Sequence, residues 1–483
     1  MRVSLMVGSF LGAVGLLVAA CGSSSNDTVN APIDNDAGVT LASDEVFFYE
    51  HIEPIVAEHC QNCHHAGGVA PFALVTYADV KARGVQARSK VEAKDMPPWG
   101  AFNSDECNVS RPIVDDIRLS DEQIALFLKW VDTGMQEGDP AKALPSRTFG
   151  DGKLEGATNT YSIASPYNVP AAGKDEIRCF PIDPKLPSGS WITGSNVIAG
   201  DSRVVHHAIV FTDPKGEAAG KVDASGSYPC FGDPGTSDPS VLLAWAPGAP
   251  PLEYGKNAAV KVADGMHLVL QIHYHPTTVA VQDQTQFELR VSQTRPQYVT
   301  ELALIGNADG SEDKDAALRL LPGPDDPATG PAFVIPANAT AHTETMELVM
   351  PTTISGFPTP ELRIGAAGAH MHWAGTDMTI TIERAKTTSE PQKECLIGTP
   401  KYNFNWQRGY AYNVDYDQLP TLNGGDKITL KCTYNNSLSN PFVQRALQEM
   451  QMSEPQPIKL GETTLDEMCL GVFGLLRPIT PID

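Results

Sequence analysis

The chain is short of basic residues. Lys plus Arg number 35 against 58 Asp plus Glu in 483 residues, for a net charge of −23. Phosphate backbones are held by clustered cations, so this balance excludes nucleic acid as the partner. Long apolar runs are scarce as well. After Ala20 no segment reaches the roughly 18 uninterrupted apolar residues that a membrane-spanning helix needs. Histidine is sparse, at 12, and cysteine numbers 9, so clustering of either is informative. The apolar content of 42% is that of ordinary globular cores rather than of a disordered chain. At roughly 150 residues per domain, the length suggests about three domains.

Residues 1–20 read as an export signal: Arg2 makes a short positive start, and a run rich in Leu, Val, Ala and Gly follows to Ala20. The sequence Val18-Ala19-Ala20-Cys21 resembles the bacterial lipobox. That resemblance implies cleavage before Cys21, lipid on its thiol, and an exported lipoprotein anchored to a membrane and facing the periplasm or cell surface. Residues 21–44, rich in Ser, Asn, Asp, Gly and Thr, read as a flexible tether. An oxidising compartment permits disulfides. If Cys21 carries lipid and Cys60 and Cys63 carry haem, six Cys remain, at 107, 179, 230, 395, 432 and 469. Sequence alone leaves 15 pairings of six cysteines open.

Residues 45–136 have helical character. Ser120 with Gln123 three residues on is a capping-box start, Ile124, Phe127, Leu128 and Val131 share one face, and Gly134 ends the helix. Within this region stands Cys60-Gln61-Asn62-Cys63-His64. Two thiols at this spacing add to the two haem vinyl groups, and the adjacent imidazole reaches the iron; in a cytosolic chain the same spacing would also suit zinc or redox chemistry. Met96, in Met96-Pro97-Pro98-Trp99, is the candidate sixth iron ligand, a soft thioether suited to electron transfer. The segment resembles small class I c-type cytochromes, with Cys60, Cys63 and His64 as the attachment motif and Met96 as the distal ligand. His51, His59 and His65 are read as bystanders. Residues 137–160 are expected to be a linker.

From about residue 161 short alternating runs replace helical periodicity: Val204–Phe211, His267–His275, Thr343–Met350, Met378–Arg384 and Lys427–Tyr434, punctuated by Pro, Gly, Asn and Asp. This pattern predicts all-β sandwiches. The length predicts two of them, 161–297 and 298–483, with the break near 296–300.

Seven of the 12 histidines fall in three groups in this region: His206-His207, then His267, His273 and His275, then His370 and His372. Neighbours on a strand point to opposite faces, so an adjacent pair alone is weak, whereas His-x-His places two imidazoles on one face. The order of the pieces adds more. Val205-His206-His207, Leu243 to Pro251, Val269 to Tyr274, Gly368 to Gly375 and Asp466-Glu467-Met468-Cys469 together resemble the copper type II monooxygenases, the family of the peptidylglycine α-hydroxylating and dopamine β-monooxygenases. The resemblance implies two jelly-roll-like β-sandwich domains, each holding one copper: His206, His207 and His273 on the first, His370, His372 and Met468 on the second, catalytic one. Imidazole suits both copper oxidation states and a thioether favours Cu(I). His267 and His275 match no ligand position. Cys432 and Cys469 match a family disulfide beside the second copper; Cys179 is expected to pair with Cys230, and Cys107 and Cys395 are left unassigned.

The implied activity is insertion of one atom of O2 into a substrate C–H bond, with electrons reaching the coppers through the fused haem domain from an external donor. Family members acting on peptide C-termini carry an Arg two residues before the His-x-His pair, where this chain has Gly368, and polar residues and Tyr after the Met-Cys pair, where it has Leu470-Gly471-Val472-Phe473. The substrate expected is therefore a small apolar molecule rather than a peptide carboxylate. The alternative is a non-catalytic copper-binding or electron-transfer lipoprotein, and a further one a structural lipoprotein whose histidines bind nothing.

Overall fold

A computed structural model describes residues 45–149, 152–171, 175–230, 232–245, 249, 251–255, 257–309, 317–354, 357–461 and 466–480. The export signal (1–20), Cys21 and the tether (21–44) lie outside the described residues. The chain divides into a helical unit and a β unit.

The helical unit holds helices Glu53–His59, Tyr77–Glu92 and Asp121–Asp132. Two of them start at full capping boxes, Thr76 with Asp79 and Ser120 with Gln123, each satisfying two otherwise orphaned N–H groups. Gly134, at φ +96°, supplies the left-handed step after the last helix. The apolar faces close on Phe48, Ile52, Val56, Val80, Phe127, Trp130 and Val131.

Two boundaries differ from expectation. Residues 100–114, expected inside the helical domain 45–136, belong to the β unit. They are held there by the Cys107–Cys395 disulfide, an ion pair from Arg111 to Glu394, a bond from Arg111 Nε to the Gln418 carbonyl (2.8 Å) and a bridge between Ile113 and Tyr412. All these partners are some 300 residues away in sequence, so no local pattern announces them. The expected linker 137–160 is also only partly a connector. Leu144 N–H donates to Glu53 (2.8 Å), Arg147 donates to the Ala57 carbonyl, and Phe149 stacks on His65 at 4.1 Å, all within the helical unit. A strand of the β unit begins at Asn159.

The β unit is built of sandwiched antiparallel sheets. In its first half a five-stranded sheet runs in the order Tyr228–Pro229, Glu176–Ile182, His267–Tyr274, Val205–Asp213, Val241–Trp245. In its second half another runs Leu318–Leu320, His342–Val349, Lys427–Tyr434, Gly375–Glu383, Lys393–Gly398. A ten-stranded sheet continues through both halves. Its halves join where Tyr298 and Val299 pair in parallel with Ala258 and Ala259. The strand that begins there, Tyr298–Gly306, then pairs along its whole length with Leu470–Pro478. The first core lies between Phe180, Val210, Leu268, Leu270 and Ile272 on one sheet and Ile192, Val197, Phe287 and Leu289 on the other. In the second half, buried and half-exposed residues alternate along Lys427–Tyr434, whereas His267–Tyr274 and Trp191–Ile198 of the first core are buried almost throughout.

Among the described residues six cysteines form three disulfides, Cys107–Cys395, Cys179–Cys230 and Cys432–Cys469, and Cys60 and Cys63 belong to none of them. Such crosslinks persist in an extracellular or periplasmic setting. No helix among the described residues is long and apolar enough to cross a membrane. Because Cys107–Cys395 closes a loop of 288 residues, replacing both cysteines by serine should lower unfolding stability by about 2–4 kcal/mol. Denaturant titration of the double variant against the parent under non-reducing conditions measures this.

Candidate metal centres

The first cluster is made by two neighbouring strands. His206 and His207 lie on Val205–Asp213, and His273 lies on His267–Tyr274, directly opposite His207. Adjacent residues of a regular strand would face opposite ways, but the ladder slips here. Ile272 pairs with Ala208 and His273 with His207, yet Tyr274 pairs with Val205. His206 is thus the extra residue of a β-bulge, and a bulge re-aims a side chain. His206 and His207 then both face His273. The Nδ1 atoms of His206 and His207 are 3.3 Å apart, as are those of His207 and His273. The ring centroids of the trio stand 4.6–5.4 Å from one another. Two nitrogens each about 2.0–2.1 Å from one metal ion at a tetrahedral angle are about 3.3 Å apart, so the trio has the spacing of a metal site. It is the one cluster of three or more His, Cys, Asp or Glu among the described residues with ligand atoms this close. His267 takes no part: it stands at the far end of its strand, opposite Asp213.

The second group forms where the ten-stranded sheet ends. His370 closes strand Leu362–His370 and pairs with Leu470, the first residue of Leu470–Pro478. Met468 lies two residues before Leu470, on the segment that leads into that strand. Hydrogen bonds join this segment to the residues after His370. His372 Nδ1–H donates to the Asp466 carbonyl (2.9 Å), and His372 N–H donates to Glu467 Oε2 (2.7 Å). Glu467 is buried and also accepts from the N–H groups of Ala374 (2.7 Å) and Met468 (3.1 Å), so one carboxylate ties both segments together. Cys469 is fixed by its disulfide to Cys432, and Tyr434 Oη donates to the Met468 carbonyl (2.9 Å). Met371, between the two histidines, points into the core.

The ring orientations can be read from acceptor-only partners. His372 Nδ1 faces a carbonyl, so it carries the proton and Nε2 keeps its lone pair. His370 Nδ1 faces Gln407 Oε1 at 2.5 Å, and the Gln407 amide is oriented by its own bond to the Phe404 carbonyl (3.1 Å). The second pair therefore offers Nε2, whereas the first trio converges through Nδ1.

The segment after Thr399 covers the site. Tyr402 Oη brackets Met371, accepting from its N–H (2.9 Å) and donating to its carbonyl (2.5 Å). The Phe404 ring lies 6.4 Å from both His206 and His372 and stacks on Trp373 at 5.2 Å. Gln407, Glu467, Tyr402 and Phe404 are site residues that the sequence reading assigned no role; of these only Glu467 lay in a stretch already singled out. The Ala246-Pro247-Gly248 part of the Leu243–Pro251 stretch lies outside the described residues.

Three of these imidazoles, His206, His207 and His370, are held neutral. Burial, then the neighbouring His273, lowers His206 to about 4; burial, then His372, lowers His370 to about 4; His207 is shifted the same way. Neutral imidazoles are the form that binds a metal. Burial pushes Glu467 up to about 8 against the pull of its main-chain donors.

In the helical unit, Cys60, Cys63 and His64 sit at the turn closing helix Glu53–His59, where the Cys63 and His64 N–H groups both donate to the Cys60 carbonyl (3.2 and 2.9 Å). His64 Nδ1–H donates to the Phe72 carbonyl (3.0 Å), which leaves Nε2 as the free ligand atom, the arrangement an axial imidazole needs. Met96 is 43% exposed in the segment after Glu92. His51 and His59 are spent on local bonds to Phe47, and to Ile117 and Gln123.

No protein-family model and no curated protein matches the chain. Among solved structures, PNGase F, a glycosylasparaginase from Flavobacterium meningosepticum, aligns at 12% identity over 67% of this chain and 98% of its own, with a TM-score of 0.23. A peptide-N(4)-(N-acetyl-beta-D-glucosaminyl) asparagine amidase aligns at 13% over 67% and 98%, with a TM-score of 0.24. The VP2 subviral particle of infectious bursal disease virus aligns at 9% over 68% and 83%, with a TM-score of 0.09. Similarities this low carry no argument about fold or activity.

A histidine whose folded pKa is depressed binds fewer protons than its unfolded counterpart between the two values, so its contribution to stability is complete above about 6.5 and is lost as pH falls towards 4. Metal-free protein should accordingly lose denaturant resistance between pH 6.5 and 4.5. The double variant His206→Gln/His370→Gln should lose less of it over the same interval, and comparing the two separates the histidines from Glu467, whose shift has the opposite sign.

Proposed function

We propose that this chain is an exported, lipid-anchored copper monooxygenase of the copper type II class with a fused haem c domain, hydroxylating a C–H bond of a small apolar substrate. The observation that carries the reading is the convergence of three imidazoles from two strands through a bulge, together with a second imidazole pair whose His372 is hydrogen-bonded to Asp466 and Glu467, the residues just before Met468. In this reading the β unit comprises two jelly-roll-like copper domains and the helical unit is a class I cytochrome. His206, His207 and His273 hold one copper, and His370, His372 and Met468 hold the other. Cys60 and Cys63 would attach the haem, His64 and Met96 would bind its iron, and Cys21 would carry the lipid. When bound, these groups supply electron transfer from an external donor and reduction of O2, one oxygen atom entering the substrate and the other leaving as water.

The chain's own residues shape what can enter. Gly368 pairs with Gly409, and a Cβ at 368 would lie 3.1 Å from the Arg408 carbonyl oxygen and from Gly409 Cα. At the position where peptide-acting relatives carry a carboxylate-binding Arg, a side chain would therefore need the facing main chain to give by a few tenths of an ångström. Phe404 and Trp373 line the approach to His372 with aromatic surface. Both features favour an uncharged, apolar substrate. Gln407 and the Asp466 carbonyl orient the two imidazoles, and Glu467 keeps the loop after His370 aligned with Met468.

Full-length protein loaded with copper and haem should contain two copper ions and one haem, and with 18O2 and a reductant should place one labelled atom in its product. His372→Ala should abolish the product while sparing copper at the first trio. Copper and haem loading with reductant-dependent O2 consumption but no labelled product across a panel of apolar substrates would identify a copper-binding or electron-transfer lipoprotein instead; a protein that takes up neither group would be structural.

A further inference from the structure

The His273-x-His275 pair raises a question that the ligand sets leave open, because both rings lie on one strand face yet only His273 joins the trio. The answer lies in Asp175, which immediately precedes strand Glu176–Ile182. His273 pairs with Ile177 and Tyr274 with Glu176, so the same ladder sets His275 opposite Asp175. The carboxylate takes both imidazoles: His273 Nε2 lies 2.8 Å from Oδ2, and His275 Nδ1 lies 2.7 Å from Oδ1. An ionised carboxylate only accepts, so both nitrogens carry protons. With the proton of His273 fixed on Nε2, its Nδ1 lone pair points at His207 Nδ1, 3.3 Å away. His275 is anchored in turn, its N–H donating to the Val204 carbonyl at 2.8 Å, on the residue that leads into the bulge.

Resting on the copper reading above, we propose that Asp175 is a positioning residue for the first metal centre: it selects the ring orientation in which His273 offers Nδ1, and His275 braces the carboxylate rather than binding metal. A carboxylate behind a metal-bound imidazole also raises its basicity, and losing such a partner lowers metal affinity by about 10- to 100-fold. Asp175 is about one-third exposed, so its replacement leaves no buried cavity.

The test uses full-length chain in the His370→Ala/His372→Ala background, so that only the first trio loads. Copper is titrated against a competing chelator, and the Cu(II) site is read by electron paramagnetic resonance. Asp175→Ala should weaken copper about 10- to 100-fold and alter the resonance parameters. Asp175→Asn, which keeps an acceptor oxygen, should recover part of both and also guards against a folding defect in the alanine variant. His275→Gln should show a smaller loss. Unchanged affinity and an unchanged spectrum in Asp175→Ala would overturn the positioning role while leaving the copper reading intact. If the parent binds no copper at the first trio, both fall together.

Discussion

The cluster of His206, His207 and His273 depends on a single irregularity in one β ladder. In a regular strand His206 and His207 would stand on opposite faces, and no cluster of three imidazoles would exist. The bulge between Val205 and His207 turns His206 to the side on which His207 already meets His273 across the ladder. An unpaired residue costs ladder hydrogen bonding; here it sits between the buried Val205 and the His207–Ala208 stretch that resumes the ladder. The geometry of the cluster is thus set by main-chain register.

The second histidine pair uses a different device. There the register runs regularly only from the Ala366–Gly474 pair to the His370–Leu470 pair, and beyond it the two segments must stay aligned without that ladder. A buried carboxylate does this. Glu467 gathers N–H donors from both loops, and the Cys432–Cys469 disulfide ties the same stretch to the facing sheet. Because Gln407 and a carbonyl occupy the Nδ1 positions of His370 and His372, the two histidine groups present opposite ring nitrogens. Phe404, within reach of one ring from each group, places the two imidazole groups around a common aromatic surface.

Much of the fold was legible because it is written in short-range patterns. The capping box at Ser120 and Gln123 opens a helix as read, and the alternation over Lys427–Tyr434 is a strand with those bounds. The Cys60 to His64 motif and the His370-x-His372 pair are likewise local spacings, and local spacings survive without knowledge of the fold. The 100–114 segment shows the opposite case. Its partners, Cys395, Glu394 and Tyr412, come from strands far along the chain, and nothing in its own residues marks it as part of a β unit.

What the sequence by itself determined is the kinds of residue and their order: an export-type start, a haem-type motif, β alternation, and the histidines and methionine that invite a soft metal. Only the tertiary structure decided how they meet. It set the bulge that brings His206 round, the close approach of main chain to Gly368, and the placing of Asp175, Gln407 and Phe404 around the rings. The physical reason is the range of the forces involved. Propensity and periodicity act over a few residues, whereas ring orientation and register are settled by hydrogen bonds between segments that approach only after the sheets have paired.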